Sequence, residues 1–383
     1  MPAVAYTRLR PADPARAGLR VERLRVLVDD LDRLPEKGWC AGAVTLIGRG
    51  PYVALEHATG WALRYASWDP VALVGRELPT EQWVPMRENT VFDLASVTKL
   101  FTAIAVLQQV ERGTVDLDTP VAHYAPELVA AKRHRFTLRG LLTHTTGLRP
   151  ELPLYELPVA RRWERVWAEE PEGRGGDYRY SDLNFLLTQT VLERVGGAPL
   201  DVLLEEGVTR PLGMRDTRFR PPRSWHRRAA ATEDQRRPWA KADRGLLRGE
   251  VHDENAAALG GVAGHAGMFS TARDMAVLCR TLLTGGAYGP ARILTPSSVA
   301  QLLAPPGLGF VVNEPRFMGE LAGPLSEGRA AGHTGFTGTS VVLDPVTDTF
   351  VVLLANRVHP VRRPADSGPR AMVATHVARA VRS

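Results

Sequence analysis

The chain is poor in cysteine and nearly devoid of lysine. Its 383 residues hold two cysteines, Cys40 and Cys279. They form neither a disulfide framework nor a metal-ligand spacing and read as two core thiols. Lysine stands only at positions 37, 99, 132 and 241, although Lys and Arg together number 48. No apolar run is long enough to cross a bilayer. The opening stretch, MPAVAYTRLRPADPARAG, lacks the apolar core of a signal peptide. Taken as complete, such a chain is expected in the cytoplasm, with no membrane partner. There is no internal repeat and no low-complexity segment. Gly-x-Ser-x-Gly, His-Glu-x-x-His and Gly-x-x-x-x-Gly-Lys are all missing, which removes three common routes to hydrolytic or phosphate chemistry.

What remains is an ordinary globular composition, 44% hydrophobic and 23% charged, with a net charge of +6. The length allows two domains or one large α/β unit. The densest basic segment is RDTRFRPPRSWHRRAAATEDQRRPWAKADRGLLRG, from Arg215. It could dock a polyanion or guide an acidic small substrate. It has no regularly interleaved aromatics and it contains Pro, Gly and acids, so it reads as a solvated surface excursion. No nucleic acid is expected as a partner.

Strand patterns lie near both ends of the chain. CAGAVTLIGRG and PYVALEHATG read as a hairpin turning at Gly48–Pro51. GTSVVLD and TFVVLLANR form a second, turning at Pro345–Asp348. A loop is expected from the first hairpin to about Asn89. Helical spacing fills the middle. FDLASVTKLFTAIAVLQQVERG, from Phe92, reads as one amphipathic helix ended by Gly113. Asp118–Thr119–Pro120 looks like a cap with Pro in the first helical turn. Further helices are expected from Thr137 to Gly147, over SDLNFLLTQTVLERVGG, and over STARDMAVLCRTLLTGG, with Thr271 and Asp274 in capping-box spacing. Helical and loop-rich material is expected up to Gly267. The fold class is therefore α/β in the α+β sense: an antiparallel sheet from residues 1–95 and 285–383, and a mainly helical region over 96–284. A site belongs in the cleft between the two.

Ser96 and Lys99 stand three apart and share a helix face. In a first turn, the Ser96 N–H has no intrahelical partner and can hold a developing oxyanion. A serine needs a base. Lysine can serve as one and arginine cannot, so a lysine kept here in an arginine-rich chain is informative. Alone, this tetrapeptide is as compatible with an ordinary helix. Two later pieces join it: Tyr180–Ser181–Asp182 before a helix, and His333–Thr334–Gly335 at the start of the last hairpin. A strand edge offers backbone groups that grip a substrate, and Gly335 permits close approach. His144 reads as a hydrogen-bonded core residue. His252, Asp253, Glu254 and His265 cluster without metal-ligand spacing, so no metal and no cofactor is expected. Trp163 and Trp167, in RRWERVWAEEPEGRGG, mark either a mobile lid or a half-buried amphipathic helix.

The order Ser-x-x-Lys, Tyr-x-Asp, His-Thr-Gly, with LRGLLTHTTGL, YSDLNF, PLGMRDT and GHTGFTGTS, resembles the serine β-lactamase and penicillin-binding-protein superfamily. The likeness is strongest to the branch of class C β-lactamases, D-alanyl-D-alanine peptidases and esterases. The resemblance implies a β-lactamase-like fold and an acyl-enzyme mechanism. It makes Ser96 the nucleophile, Lys99 a base or proton shuttle, Tyr180 the proton-exchanging tyrosine and His333 the first residue of the strand motif. The N–H groups of Ser96 and Phe336 would form the oxyanion hole, with Asp182, Thr334 and Gly335 contacting substrate. The implied partner is a small ester, amide or peptide, muropeptides and β-lactams included; oligomeric state stays open. Two residues depart from the pattern. Asp182 replaces the usual Asn and cannot donate to a substrate carbonyl. It also favours a charged Lys99, which would leave Tyr180 to take the Ser96 proton. His333 replaces the lysine of β-lactamases and holds a carboxylate less firmly. A catalytically silent binding protein on the same fold is the alternative expectation.

Overall fold

The computed structural model of the chain describes residues 8–382. Residues 1–7, which begin the stretch lacking a signal-peptide core, lie outside it. The central sheet is built from both chain ends. Helix α1 (Val21–Glu36) leads into the hairpin β1 (Gly42–Arg49) and β2 (Tyr52–Leu63). Strands β3 (Ala331–Thr334), β4 (Ser340–Asp344) and β5 (Thr349–Ala355) come from the other end. Their order is β2–β1–β5–β4–β3, antiparallel throughout. Short strands extend both edges. Val84–Pro85 and Arg10–Pro11 pair with β2, and Val311–Val312 with β3. The Arg10–Pro11 pairing is parallel, so the sheet is mixed at that edge.

Period-two alternation sends the two faces of the sheet to separate cores. Val351 and Leu353 of β5 pack with Leu24, Leu27 and Leu31 of α1 and with Val373 and Val377 of α5 (Gly368–Ala380). Phe350, Val352 and Leu354 face α4 (Ala272–Leu283) in a larger core that also holds α2 (Thr98–Glu111). Covered on both sides, β5 is buried along its whole length, which explains its unbroken apolar run. α3 (Leu183–Gly196) packs against α2 within the larger core, and Gly197 closes it in the left-handed conformation.

Several expected elements differ. The stretch from Phe92 is not one amphipathic helix. A 3-10 turn, Ala95–Val97, precedes α2, and α2 is buried on all sides from Thr98 to Gln109. The expected loop before Asn89 contains a second hairpin, Tyr65–Asp69 with Val74–Glu77. It is half-buried at most and so lacks an apolar stripe. Its turn is made by Asp69 Oδ1, which accepts from the Val71 and Ala72 N–H groups. The expected helical and loop-rich stretch before Gly267 includes strands Ala231–Gln235 and Gly245–Arg248. The first is ATEDQ, fully buried yet polar, because its side chains bond inward. The helix expected over Thr137–Gly147 is one turn, Leu138–Leu142, capped by Thr137. The Pro120 cap opens only a 3-10 turn. Thr271 caps α4 by accepting from the Asp274 N–H, but Asp274 turns away to the N–H of Asp216 and the hydroxyl of Thr217.

Candidate active site

The turn that carries Ser96 is held from both sides. Asp93 is fully buried, and its carboxylate accepts from the Ala95 N–H at 2.8 Å and the His252 N–H at 2.6 Å. Ala95 has φ +47°, an uncommon angle for a non-glycine residue, and the Asp93 contact fixes it. From the sheet, Thr337 Oγ1 donates to the Asp93 carbonyl at 2.7 Å, and Thr339 Oγ1 to the Leu94 carbonyl at 2.9 Å. Gly335 lies in the same joint. A Cβ there would collide with Thr339 Oγ1 and the Leu94 carbonyl. The end of β3 is thereby locked to the turn carrying Ser96. The N–H groups of Ser96 and Phe336 have no hydrogen-bond partner among the described residues. They stay open for a ligand oxygen.

Lys99 is fully buried and makes four contacts. Its Nζ donates to Asp182 Oδ1 and Tyr180 Oη at 2.7 Å each, to Ser96 Oγ at 3.0 Å and to the His265 carbonyl at 3.3 Å. Tyr180 Oη donates to Ser96 Oγ at 2.9 Å. Burial works against charge on Lys99, but Asp182 and Tyr180 outweigh it and hold the lysine above its ordinary value. Burial also pushes the Tyr180 phenol up, against the pull of the ammonium. The resting site is therefore a lysine–aspartate ion pair beside a neutral phenol. Asp182 occupies the N-cap position of α3, yet it caps nothing and is spent on Lys99.

His333 is buried, with Nδ1 2.7 Å from the Thr334 carbonyl. Burial, then the nearby Lys99, lower its pKa to about 4, so it is neutral at pH 7. His144 lies under Tyr180, ring centroids 4.6 Å apart. Its Nδ1 accepts from the Ser181 N–H at 3.1 Å and lies 3.2 Å from Asn184 Nδ2. It is a core residue that seats the tyrosine. Ser181 Oγ is turned away, donating to the Arg149 carbonyl at 2.6 Å.

These groups open on a cleft of about 830 Å³ lined by Ser96, Tyr180, Asp182, His333, Thr334, Gly335 and Phe336. Phe336 is about half exposed at its mouth. Sequence reasoning missed most of the far wall: beside Asp253 of the candidate cluster stand Arg357, Arg362 and Arg370, three arginines it did not single out. No local pattern marks them, since each comes from a loop or a distant helix. The missed brace, Asp93, does sit beside the Ser-x-x-Lys motif. Of the candidate cluster, His252 pairs with Glu233 at 2.8 Å and His265 with Asp253 at 3.0 Å. The ligating atoms of Asp182, Asp253 and His265 lie within 4.8 Å of one another, close enough to share a cation, but Asp182 already carries the Lys99 ammonium. Trp163 and Trp167 belong to a half-buried helix, Val159–Trp167. They line a separate cleft with Glu127 and Glu193, so they are not a lid. The basic segment is largely exposed, as at Arg215, Arg218, Arg223, Arg227 and Arg237, and only its last part is tied inward: Arg244 and Arg248 donate to backbone carbonyls, while Lys241 pairs with Glu151 at 2.5 Å. Among the described residues no helix is long and apolar enough to cross a membrane.

A provisionally named D-alanyl-D-alanine carboxypeptidase of Escherichia coli K12 is 32% identical over 389 residues, covering 93% of this chain and 87% of the relative. A penicillin-binding protein homologue from Caulobacter crescentus has the same fold, with a TM-score of 0.72 at 23% identity over 95% of this chain and 99% of its own. A class C β-lactamase from Rhodobacter sphaeroides follows at 0.69 and 22%, over 93% and 99%. The Beta-lactamase family pattern matches residues 28–375, which hold the Ser96 turn, the buried Lys99 and the β3 strand, and the chain belongs to this family of serine hydrolases.

Proposed function

We propose that the protein hydrolyses an amide or ester through an acyl-Ser96 intermediate. The observation that carries this is the closed set of contacts among Ser96 Oγ, Lys99 Nζ and Tyr180 Oη, all at 3.0 Å or less. The reactive form lacks one proton from the Lys99–Tyr180 pair. The two groups titrate as one unit, with the remaining proton between Nζ and Oη. Ser96 Oγ bonds to the substrate carbonyl carbon while its proton passes to Tyr180 Oη. The carbonyl electron pair moves onto oxygen, facing the N–H groups of Ser96 and Phe336. Such donors contribute about 2.7–4 kcal/mol each in comparable sites. When the tetrahedral centre collapses, the bond to the leaving group breaks and the leaving group takes that proton. Water repeats the sequence and frees Ser96.

For substrate we favour a D-alanyl-D-alanine-type peptide, because the relative spanning 93% of the chain carries that provisional name. β-Lactam turnover is expected to be slow, since a neutral His333 stands where a charged lysine would grip a carboxylate. Side-by-side assays with D-alanyl-D-alanine peptides, muropeptides, p-nitrophenyl esters and nitrocefin check both statements; nitrocefin as the best substrate would contradict them. Fluorophosphonate or penicillin treatment followed by peptide mass mapping should mark Ser96. The absence of a Ser96 adduct with either reagent, or turnover unchanged in Ser96→Ala, would favour the silent binding protein.

A further inference from the structure

Arg370 is an unusual arginine. It is 7% exposed, and its guanidinium makes no salt bridge among the described residues. It stands in the first turn of α5, where the helix dipole already presents positive charge. Its Nε is buried with no partner. Burial, and then the neighbouring Arg357, lower its pKa to about 10. Three unfavourable circumstances thus converge on one charge. Its short contact is Nη2 donating to the Gly335 carbonyl at 2.9 Å; Nη1 lies 3.5 Å from the Asp366 carbonyl. The ring of Trp39 lies 5.9 Å from the guanidinium carbon and backs it.

The Gly335 carbonyl belongs to the same peptide unit as the Phe336 N–H. A peptide plane is rigid, so whatever fixes its oxygen aims its N–H. Gly335 cannot do this through a side chain of its own. Its carbonyl instead accepts twice, from Arg370 and from the Gly338 N–H at 3.1 Å. A cation at the oxygen also polarises the amide and makes the opposite N–H a stronger donor. We infer that Arg370 is a positioning residue for the oxyanion hole: its guanidinium holds and polarises the Gly335–Phe336 peptide whose N–H receives the developing charge.

The inference rests on the acyl-Ser96 reading, and the test separates the two. Wild type, Arg370→Met and Arg370→Lys, as full chains, are acylated with a slowly released ester carrying a ¹³C-labelled carbonyl, and the infrared stretch of the acyl carbonyl is recorded. Turnover of a neutral p-nitrophenyl ester is measured alongside. Arg370→Met is expected to raise the stretching frequency, lower kcat about tenfold and leave KM within about twofold, a smaller loss than outright removal of an oxyanion donor. Arg370→Lys should restore part of both. If Arg370→Met does not fold, the lysine variant carries the measurement, with a smaller upward shift expected. An unchanged frequency in acylated variants overturns the inference. So does a defect confined to the KM of carboxylate-bearing substrates, which would make Arg370 a binding group only. Failure of the wild type to acylate at Ser96 overturns the acyl-serine reading, and this inference with it.

Discussion

Asp182 sets the proton balance of the site. Its carboxylate holds the ammonium of Lys99 at 2.7 Å, so removing the one proton that activates Ser96 leaves a net negative charge in a buried place. The activating deprotonation is therefore pushed to high pH. The rising limb of kcat/KM is expected to continue above pH 8, and Asp182→Asn should move it to lower pH by about one unit or more. A pH–rate profile of both proteins checks this, and coincident profiles would contradict it. Tyr180→Phe removes the hydroxyl that bonds both Lys99 and Ser96 and leaves only their direct contact. A loss in kcat on the order of 10²–10⁴ is expected from a missing proton-transfer group. Near-normal turnover in burst-free steady-state assays would return the base role to Lys99 alone. That Ser96 and Lys99 face each other was readable from their spacing, and the structure places them 3.0 Å apart; the roles given to them rested on the later motifs. The effect of Asp182 was readable as a departure from Asn. That it abandons a helix cap for Lys99 was not, because capping and pairing ask for the same residue type.

At the scale of elements, the joint between β3 and the Ser96 turn decides whether the N–H groups of Ser96 and Phe336 face one point. Thr337 and Thr339 bridge it, and Gly335 leaves room for it. Gly335→Ala is expected to push the strand away from Leu94. It should cut kcat roughly 10²-fold, as for loss of an oxyanion donor, while far-ultraviolet circular dichroism stays unchanged. Retained activity would mean that the joint is looser than these contacts imply. The sheet was legible where strands have an apolar face, as in β1 and β5. The Tyr65–Asp69 hairpin and the Ala231–Gln235 strand were hidden. One shows too little apolar surface, and the other buries Thr232, Glu233, Asp234 and Gln235 against polar partners. Pattern reading counts apolar residues and cannot register a polar strand satisfied from within.

Across the whole molecule, buried neutral histidines tie stability to pH. His359 lies between the first hairpins and the Ala231–Gln235 strand. Its Nε2 accepts from the N–H groups of Arg64 and Tyr65, and its Nδ1 is 3.0 Å from the Thr232 carbonyl. Burial lowers its pKa to about 4, against ~6.5 in the unfolded chain. Between those values the unfolded chain holds the extra proton. The contribution is fully present above pH ~6.5 and is lost as pH falls towards 4. His359→Gln should lower Tm at pH 7 but flatten its decline between pH 6.5 and 4. Thermal melts across that range check this, and parallel curves would exclude it.

The hairpins at the two ends of the chain meet when β5 pairs with β1, residues such as Ala355 and Ala43 lying about 300 positions apart. Long-range strand pairing of this kind is slow to form. It also sets a clock. While the chain is being synthesised, Ser96 and Lys99 leave the ribosome well before Phe336 and Arg370. On the proposed mechanism, a nascent chain thus carries Ser96 without the second N–H that would receive the oxyanion. Hydrolysis by that mechanism would begin only with the closing of the sheet, which makes assembly of the fold and onset of activity one event.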